Sequence, residues 1–195
     1  MFDYEKTSKA FELANFAHRH QIRKGINLPY ISHPMGVASQ VLVWGGNQEQ
    51  FMAALLHDVL EDCGAGMAQR IEEIGGENVL RMVKECSDII PDNPTQKTPW
   101  LPRKLTYLEH LKTVGDDALL VSMADKWHNL QSILSELYRV GECVYDRFIK
   151  SEYDRQKKKE MTLWYYDSII QVYEERKAPQ AIELRRLFNE VKSFK

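Results

Sequence analysis

The sequence has only three cysteines among its 195 residues, and none of them forms a Cys-x-x-Cys pair. An odd and widely scattered set of thiols speaks against a disulfide framework and against a thiolate metal site. We therefore expect Cys63, Cys86 and Cys143 to be structural thiols.

Long apolar runs are missing as well, since no stretch approaches the roughly 20 residues that span a bilayer. The N-terminal segment alternates charged and apolar residues at helical spacing instead of showing the apolar core of a signal peptide. The formal net charge of -2 gives no overall attraction for a polyanion. These absences predict a cytoplasmic protein that neither enters a membrane nor binds nucleic acid in bulk. They leave the oligomeric state open.

Strand signals are scarce, whereas apolar residues recur at helical spacing along most of the chain. The length suits one domain, and the 44% hydrophobic and 28% charged residues are typical of a globular one. We predict an all-α, single-domain helical bundle over residues 1–195, with loops at 23–34 and 91–104. The later helices are predicted at 67–74, 77–88, 103–114, 116–138, 143–149, 155–175 and 179–193.

The most informative segment is the apolar run FMAALLHDVLED, which carries His57, Asp58, Glu61 and Asp62. An unpaired carboxylate in such a setting has its charged form strongly disfavoured, and a divalent cation would remove that cost. On a continuous helix, side chains three or four residues apart share one surface. One helix is therefore expected to present metal ligands and a general base together.

Two other residues supply the same kinds of ligand atom. His33 precedes Pro34, so its imidazole is expected where an extended segment enters a helix. Asp125 lies in the apolar stretch LLVSMADKWHNL, again a poor setting for an isolated charge. Combined with the His57–Asp58 pair they form a mixed nitrogen and oxygen set. Such a set suits manganese, iron or zinc better than magnesium or calcium.

His33, the pair His57–Asp58 and Asp125 match the signature of the HD superfamily of metal-dependent phosphohydrolases. The stretches FAHRHQIRKGINLPYISHP, AALLHDVLED and MADKWHNL, within roughly residues 10–170, resemble the hydrolase domain of RelA/SpoT-type ppGpp 3′-pyrophosphohydrolases. The length leaves no room for the synthetase half of the long members, so the small alarmone hydrolases are the most similar. The resemblance implies an HD-type bundle that removes the 3′-pyrophosphate of ppGpp or pppGpp in the stringent response.

Position by position, the resemblance also implies the roles of individual residues. The two histidines and two aspartates would bind one divalent ion, usually manganese in this family. A neighbouring carboxylate can orient or deprotonate water for attack on phosphorus. The implied sets are His33, His57, Asp58 and Asp125 for the metal, Glu61 and Asp62 for catalysis, and Arg23, Lys24, Asn129 and Tyr165 for the substrate.

Each assignment outside the metal set competes with a structural interpretation. His128 is either a partner of Asp125 or a histidine at the edge of the core. For the catalytic and substrate residues, the competing interpretations are a solvated turn for Glu61 and Asp62, solvated charges for Arg23 and Lys24, a surface amide for Asn129 and core packing for Tyr165.

Two departures from the family pattern bear on the substrate. Ser122 stands where many relatives have a lysine. The proline-rich segment 91–104, with Trp100, Arg103 and Lys104, is longer than expected for the family and is expected to shape the phosphate end of the pocket. These changes leave the metal set intact but keep a second hypothesis open, an HD nucleotidase for a nucleoside monophosphate or an NADPH-like dinucleotide. A third hypothesis is a sensor that binds a nucleotide without catalysing a reaction. Glu61 and Asp62 argue against it, because a protein that only binds needs no general base.

Overall fold

The computed structural model describes residues 2–88, 90, 99–149 and 153–194. Within these ranges the regular structure is helical, and pairing between extended residues is limited to one bridge between Ile22 and Pro29. The prediction of an all-α fold is confirmed. The helices are α1 (Tyr4–His18), α2 (Ser32–Val43), α3 (Gln48–Leu56), α4 (Val59–Cys63), α5 (Ala68–Gly75), α6 (Glu77–Cys86), α7 (Trp100–Leu111), α8 (Asp116–Val140), α9 (Arg155–Glu175) and α10 (Ala181–Ser193), with 3₁₀ segments at Ala65–Met67 and Gly141–Arg147.

Side-chain caps fix the starts of several helices. Asp3 accepts hydrogen bonds from the backbone N–H groups of Glu5 and Lys6 at the start of α1, each at 3.1 Å. Asn47 and Gln50 form a reciprocal capping box at the start of α3. Such caps satisfy backbone donors that the first helical turn leaves unpaired. The register of α3, which leads directly into the site, is therefore set by its own sequence.

The predicted helices at 116–138, 155–175 and 179–193 correspond to α8, α9 and α10 within a few residues. The predicted helix at 143–149 corresponds to the 3₁₀ segment Gly141–Arg147, which begins where Gly141 ends α8 with a φ of 59°. Glycine takes this left-handed conformation at no steric cost.

Trp100 lies in α7, which corrects its assignment to the loop at 91–104. Arg103 and Lys104, where the predicted loop overlaps the predicted helix at 103–114, also lie in α7. Pro102 occupies the first turn of that helix, where a missing backbone N–H costs little. Residues 91–98 of the predicted loop lie outside the described residues. All three cysteines lie in the described part of the chain and form no disulfide there, as expected, with Cys86 buried, Cys63 half-buried and Cys143 exposed.

Helix α8 is the central element of the fold. It packs against α2, α3, α6 and α10, and the Gly141–Arg147 segment returns along it. Together with α2, the α3–α4 junction, α7 and α9 it encloses a cavity of about 340 Å³. Among the described residues, no helix combines the length and apolarity needed to cross a membrane.

Candidate metal centre and nucleotide cavity

The four predicted metal ligands converge from three places in the fold. His33 lies in the first turn of α2, His57 and Asp58 lie between α3 and α4, and Asp125 lies in α8. His33 Nε2 is 3.0 Å from Asp125 Oδ1 and 3.7 Å from Asp58 Oδ2. His57 Nε2 is 3.2 Å from Asp58 Oδ2 and 3.8 Å from Asp125 Oδ1. Folding therefore brings all four side chains into one cluster.

The His57–Asp58 pair does not lie within a continuous helix, contrary to the expectation. Helix α3 ends at Leu56 and α4 begins at Val59, although both intervening residues keep right-handed helical backbone angles. A hydrogen bond of 3.0 Å from Asp62 N to Asp58 O keeps one helical turn across the break. The helical spacing between Asp58 and Asp62 is therefore kept across the break.

The two ring nitrogens of His57 have different environments. Nδ1 lies 2.8 Å from the carbonyl oxygen of Ala54, which identifies Nδ1 as the nitrogen that carries the proton in the neutral ring. Nε2 is buried with no hydrogen-bond partner among the described residues, and it faces Asp58 and Asp125. A buried lone pair beside two carboxylates is costly unless a cation satisfies it. The cluster therefore fits a divalent cation.

His33 is oriented by a second histidine. His33 Nδ1 lies 2.9 Å from His128 Nδ1, which leaves Nε2 of His33 to face the carboxylates. Gly36 permits this approach, because a Cβ on it would lie 2.2 Å from the His128 ring. Burial lowers the pKa of His128 to about 3, so its ring is neutral. His128 therefore contacts His33 and not Asp125, which corrects one of the two expectations for it.

The carboxylate ligands also have fixed partners. Lys126 forms an ion pair with Asp125, and Asn129 Nδ2 donates to Asp125 Oδ1 at 2.6 Å. The Tyr30 hydroxyl donates to Asp58 Oδ2 at 2.6 Å. Burial by itself would lower the pKa of Lys126, but the Asp125 carboxylate holds it well above its usual value. The site therefore includes a buried ammonium that the sequence patterns did not single out.

Glu61 lies on the cavity wall, half-buried, at the start of α4. Its Oε1 accepts a hydrogen bond of 2.6 Å from the backbone N–H of Asp88. Burial, followed by the negative charges of Asp88 and Asp58, raises the pKa of Glu61 to about 8, while Lys104 acts in the opposite direction. A carboxyl group with a pKa near neutrality is suited to proton transfer at neutral pH.

The predicted substrate residues Arg23, Lys24 and Asn129 line the same cavity. Arg23 Nη2 donates to Asn129 Oδ1 at 3.0 Å, and its guanidinium lies 5.7 Å from the centre of the Tyr30 ring. Asn129 thus connects Arg23 to the aspartate of α8. Lys24 is exposed at the cavity rim.

Asp62 and Tyr165 also reach the cavity. The Asp62 side chain is 38% exposed, and its Oδ2 lies 3.8 Å from Nδ1 of buried His18. Tyr165 is buried, and its hydroxyl has no partner in the described part of the chain. Tyr165 therefore packs in the core and also contributes its hydroxyl group to the cavity wall.

Helix α7 supplies two cations, Arg103 and Lys104, that are not among the predicted substrate residues although their segment is expected to shape the phosphate end of the pocket. Lys104 Nζ donates to Asp88 Oδ2 at 2.6 Å and lies 4.6 Å from the centre of the Tyr165 ring. Arg103 Nη1 lies 3.4 Å from the same Asp88 oxygen, and its buried Nε lacks a partner among the described residues. These donors suit an anionic ligand.

An all-α bundle that gathers two histidines and two aspartates beside such a cavity defines a metal-dependent phosphohydrolase domain. The model of the HD domain family matches residues 10–148, and the chain belongs to this family.

Similar proteins agree with this assignment. The chain is 37% identical over 128 residues to the guanosine-3′,5′-bis(diphosphate) 3′-pyrophosphohydrolase MESH1 of Xenopus tropicalis, covering 63% of this chain and 68% of that protein. It is 34% identical over 134 residues to the MESH1 protein of Homo sapiens, covering 66% of this chain and 71% of that one. The solved structure of a metazoan ortholog of SpoT that hydrolyses ppGpp shares the fold, with a TM-score of 0.76 at 21% identity, over 100% of this chain and 99% of that chain.

Proposed function

We propose that this protein is a metal-dependent phosphohydrolase that removes the 3′-pyrophosphate from guanosine polyphosphates such as ppGpp and pppGpp. The observation that carries the proposal is the convergence of His33, His57, Asp58 and Asp125 beside Glu61, in a cavity of about 340 Å³. The activity for which the MESH1 relatives are named supports the choice of substrate.

The two histidines and two aspartates would hold one divalent ion, for which we propose Mn²⁺. Imidazole and carboxylate ligands together suit manganese, and two histidine Nε2 atoms already face the carboxylates. When bound, a divalent cation supplies Lewis-acid charge at the phosphoryl group and favours the ionisation of water.

Glu61 is the proposed general base. It would take a proton from water as the water oxygen bonds to the phosphorus next to the 3′ oxygen. The bond between that phosphorus and the 3′ oxygen breaks, and the 3′ oxygen is protonated, so ppGpp and water yield GDP and pyrophosphate. Asp62, which lies nearer the solvent, would orient the water or return the proton.

Four residues are proposed to bind the substrate. Arg23 would stack on the purine face and Lys24 would meet ring or phosphate acceptors, because a guanidinium is planar and an ammonium is a compact charge. Asn129 and Tyr165 would contact the sugar and phosphate region from α8 and α9.

A second candidate substrate is another phosphorylated nucleotide, either a nucleoside monophosphate or a dinucleotide such as NADPH. The observation that favours it is Arg103 Nε on α7, a buried donor that has no partner among the described residues and no role in the proposed binding of ppGpp. Ser122 gives it no support, because its hydroxyl hydrogen bonds to Tyr107 and Tyr173 at 2.9 and 2.8 Å, away from the residues that line the cavity.

The decisive assay supplies Mn²⁺ and compares ppGpp, pppGpp, NADPH and GMP, with products separated by anion-exchange chromatography. We expect GDP and GTP, each with pyrophosphate, from the first two substrates. The Glu61→Gln variant is the control for a contaminating hydrolase. Cleavage confined to NADPH or GMP would favour the second candidate, and no cleavage by metal-loaded protein would favour the sensor.

We also propose a cytoplasmic location and a small-molecule nucleotide partner in place of nucleic acid. The formal net charge of -2 supports the second point, because a nucleic-acid surface requires a basic face. Cell fractionation and an electrophoretic mobility assay with RNA and DNA would test the two points separately.

A further inference from the structure

An acidic side chain lies on the cavity wall beyond the nucleotide-binding residues. Glu136 follows Asn129 by seven residues and Ser132 by four on α8, so the three share one helix face. Glu136 is only 6% exposed, yet it lines the cavity. A carboxylate in this position is costly unless donors surround it.

Two arginines provide part of that environment. Arg139 Nη1 donates to Glu136 Oε1 at 2.9 Å, and Arg147 Nη1 donates to Glu136 Oε2. Each carboxylate oxygen can accept two hydrogen bonds. Within the described part of the chain, each oxygen accepts one of these hydrogen bonds and keeps one acceptor position, while the arginines fix the plane of the carboxylate.

Arg147 also contacts the loop between α1 and α2, which carries the predicted base-binding residues Arg23 and Lys24. A Cβ on Gly25, which has a φ of 81°, would lie 2.1 Å from Arg147 Nε, so the glycine backbone and the guanidinium are in close contact. Arg23 donates to Asn129 Oδ1 at 3.0 Å and lies 3.5 Å from Ser132 Oγ. Glu136 and Arg23 therefore belong to the same end of the cavity.

We propose that Glu136 reads the Watson–Crick edge of the bound purine and selects guanine over adenine. This proposal rests on the nucleotide hydrolase function proposed above. Guanine offers N1–H and N2–H donors, which one carboxylate can accept together. Adenine presents its N6 amino donor beside the lone pair of N1, so one carboxylate oxygen can accept a hydrogen bond while the other faces the N1 lone pair with no proton between them. Hypoxanthine keeps the N1–H donor and lacks the N2 amino group.

The test measures the dissociation constants of GDP, IDP and ADP by calorimetry on the metal-loaded protein. The parent should bind GDP about 10- to 100-fold more tightly than ADP, with IDP in between, because each donor to a charged acceptor adds affinity. Glu136→Gln should reduce the GDP preference to a few-fold, because an amide presents both a donor and an acceptor.

The matched control is Glu142→Gln. Glu142 is exposed, pairs with Lys159 at 2.5 Å and does not line the cavity. This variant should keep the full preference of the parent for GDP. The order of the three nucleotides on the parent protein needs no variant, so a folding defect in Glu136→Gln would leave that part of the test intact.

Equal binding of GDP and ADP by the parent would overturn the proposal. So would an equal loss of affinity for all three nucleotides in Glu136→Gln, since Glu136 would then act only by holding Arg147. Hydrolysis of ppGpp is followed in parallel. A GDP preference that depends on Glu136 without ppGpp cleavage would reject the proposed activity and retain the role of Glu136 in base selection, whereas cleavage with an unchanged preference would do the reverse.

Discussion

The two ends of the cavity are held in place in different ways. At the metal end, every proposed ligand is buried or half-buried, and fixed partners such as Tyr30 and Lys126 orient the carboxylates. At the base end, Arg23 and Lys24 come from the loop between α1 and α2, and Lys24 is exposed. If the proposed roles are right, the core sets the position of the reacting groups, whereas nucleotide recognition depends on side chains of a more exposed loop.

The largest effects are expected at the metal end. His57→Ala or Asp125→Ala should remove the ion, from about one per chain to almost none, and lower activity by about 1000-fold or more. Elemental analysis of the purified variants measures this directly. Exposed His20 is the matched position, and His20→Ala should keep the ion. Full occupancy in both ligand variants would show that the ligand set is wrong.

Glu61→Gln separates catalysis from metal binding at the same end. It keeps the size of the side chain but removes the base, so kcat should fall by about 100-fold or more while the metal content stays unchanged. Glu73→Gln, at an exposed glutamate of α5, should retain parental kcat. If Glu61→Gln kept activity within a few-fold of the parent, Glu61 would have a structural role only.

At the base end, Arg23→Ala or Lys24→Ala should act mainly on KM. Loss of a cation–π or charge-assisted contact costs about 1–3 kcal/mol, or about 5- to 150-fold, for ppGpp. A small chromogenic phosphodiester without a purine should be affected far less. Arg19→Ala, at an exposed arginine stacked on Phe16, is the matched control. Equal losses on both substrates would indicate that the loop supports His33 and does not bind the base.

Sequence patterns predicted which four side chains come together at the metal end, because these residue types are unusual where they occur. Histidine and aspartate within apolar stretches require partners, and this requirement is local. The helix break at His57 is not visible in the sequence, because apolar residues continue on both sides of it, at Leu56 and Val59. The start of α7 was missed because Pro99 and Pro102 suggested a loop, although a first helical turn accepts proline.

The base end was less predictable, since its contacts join distant parts of the chain. No spacing in the sequence relates Gly25 to Arg147 or places Glu136 beside the loop of Arg23. Asp88 became part of the site in the same way, through its backbone bond to Glu61. Such residues become recognisable only when the helices are packed.

The smallest expected effect is a change in stability that reports the environment of Glu61. Its pKa of about 8 in the folded protein lies above its ordinary value of 4.5, so folding opposes its ionisation. The protein should therefore lose stability as the pH rises from about 5 to 8, and Glu61→Gln should avoid this loss. In chelator-treated protein, urea unfolding at pH 9 should show the variant about 1–2 kcal/mol more stable than the parent, with no such difference at pH 4. A gain of the same size at both pH values would point to packing instead of charge.

We propose that Glu61 and the His/Asp cluster direct water at the phosphorus next to the 3′ oxygen. Hydrolysis of ppGpp in H₂¹⁸O with Mn²⁺, followed by mass spectrometry of the products, locates the bond that water forms. We expect one ¹⁸O atom in pyrophosphate and none in GDP, with product formation strongly reduced in Glu61→Gln. Label in GDP, or release of orthophosphate in place of pyrophosphate, would contradict it.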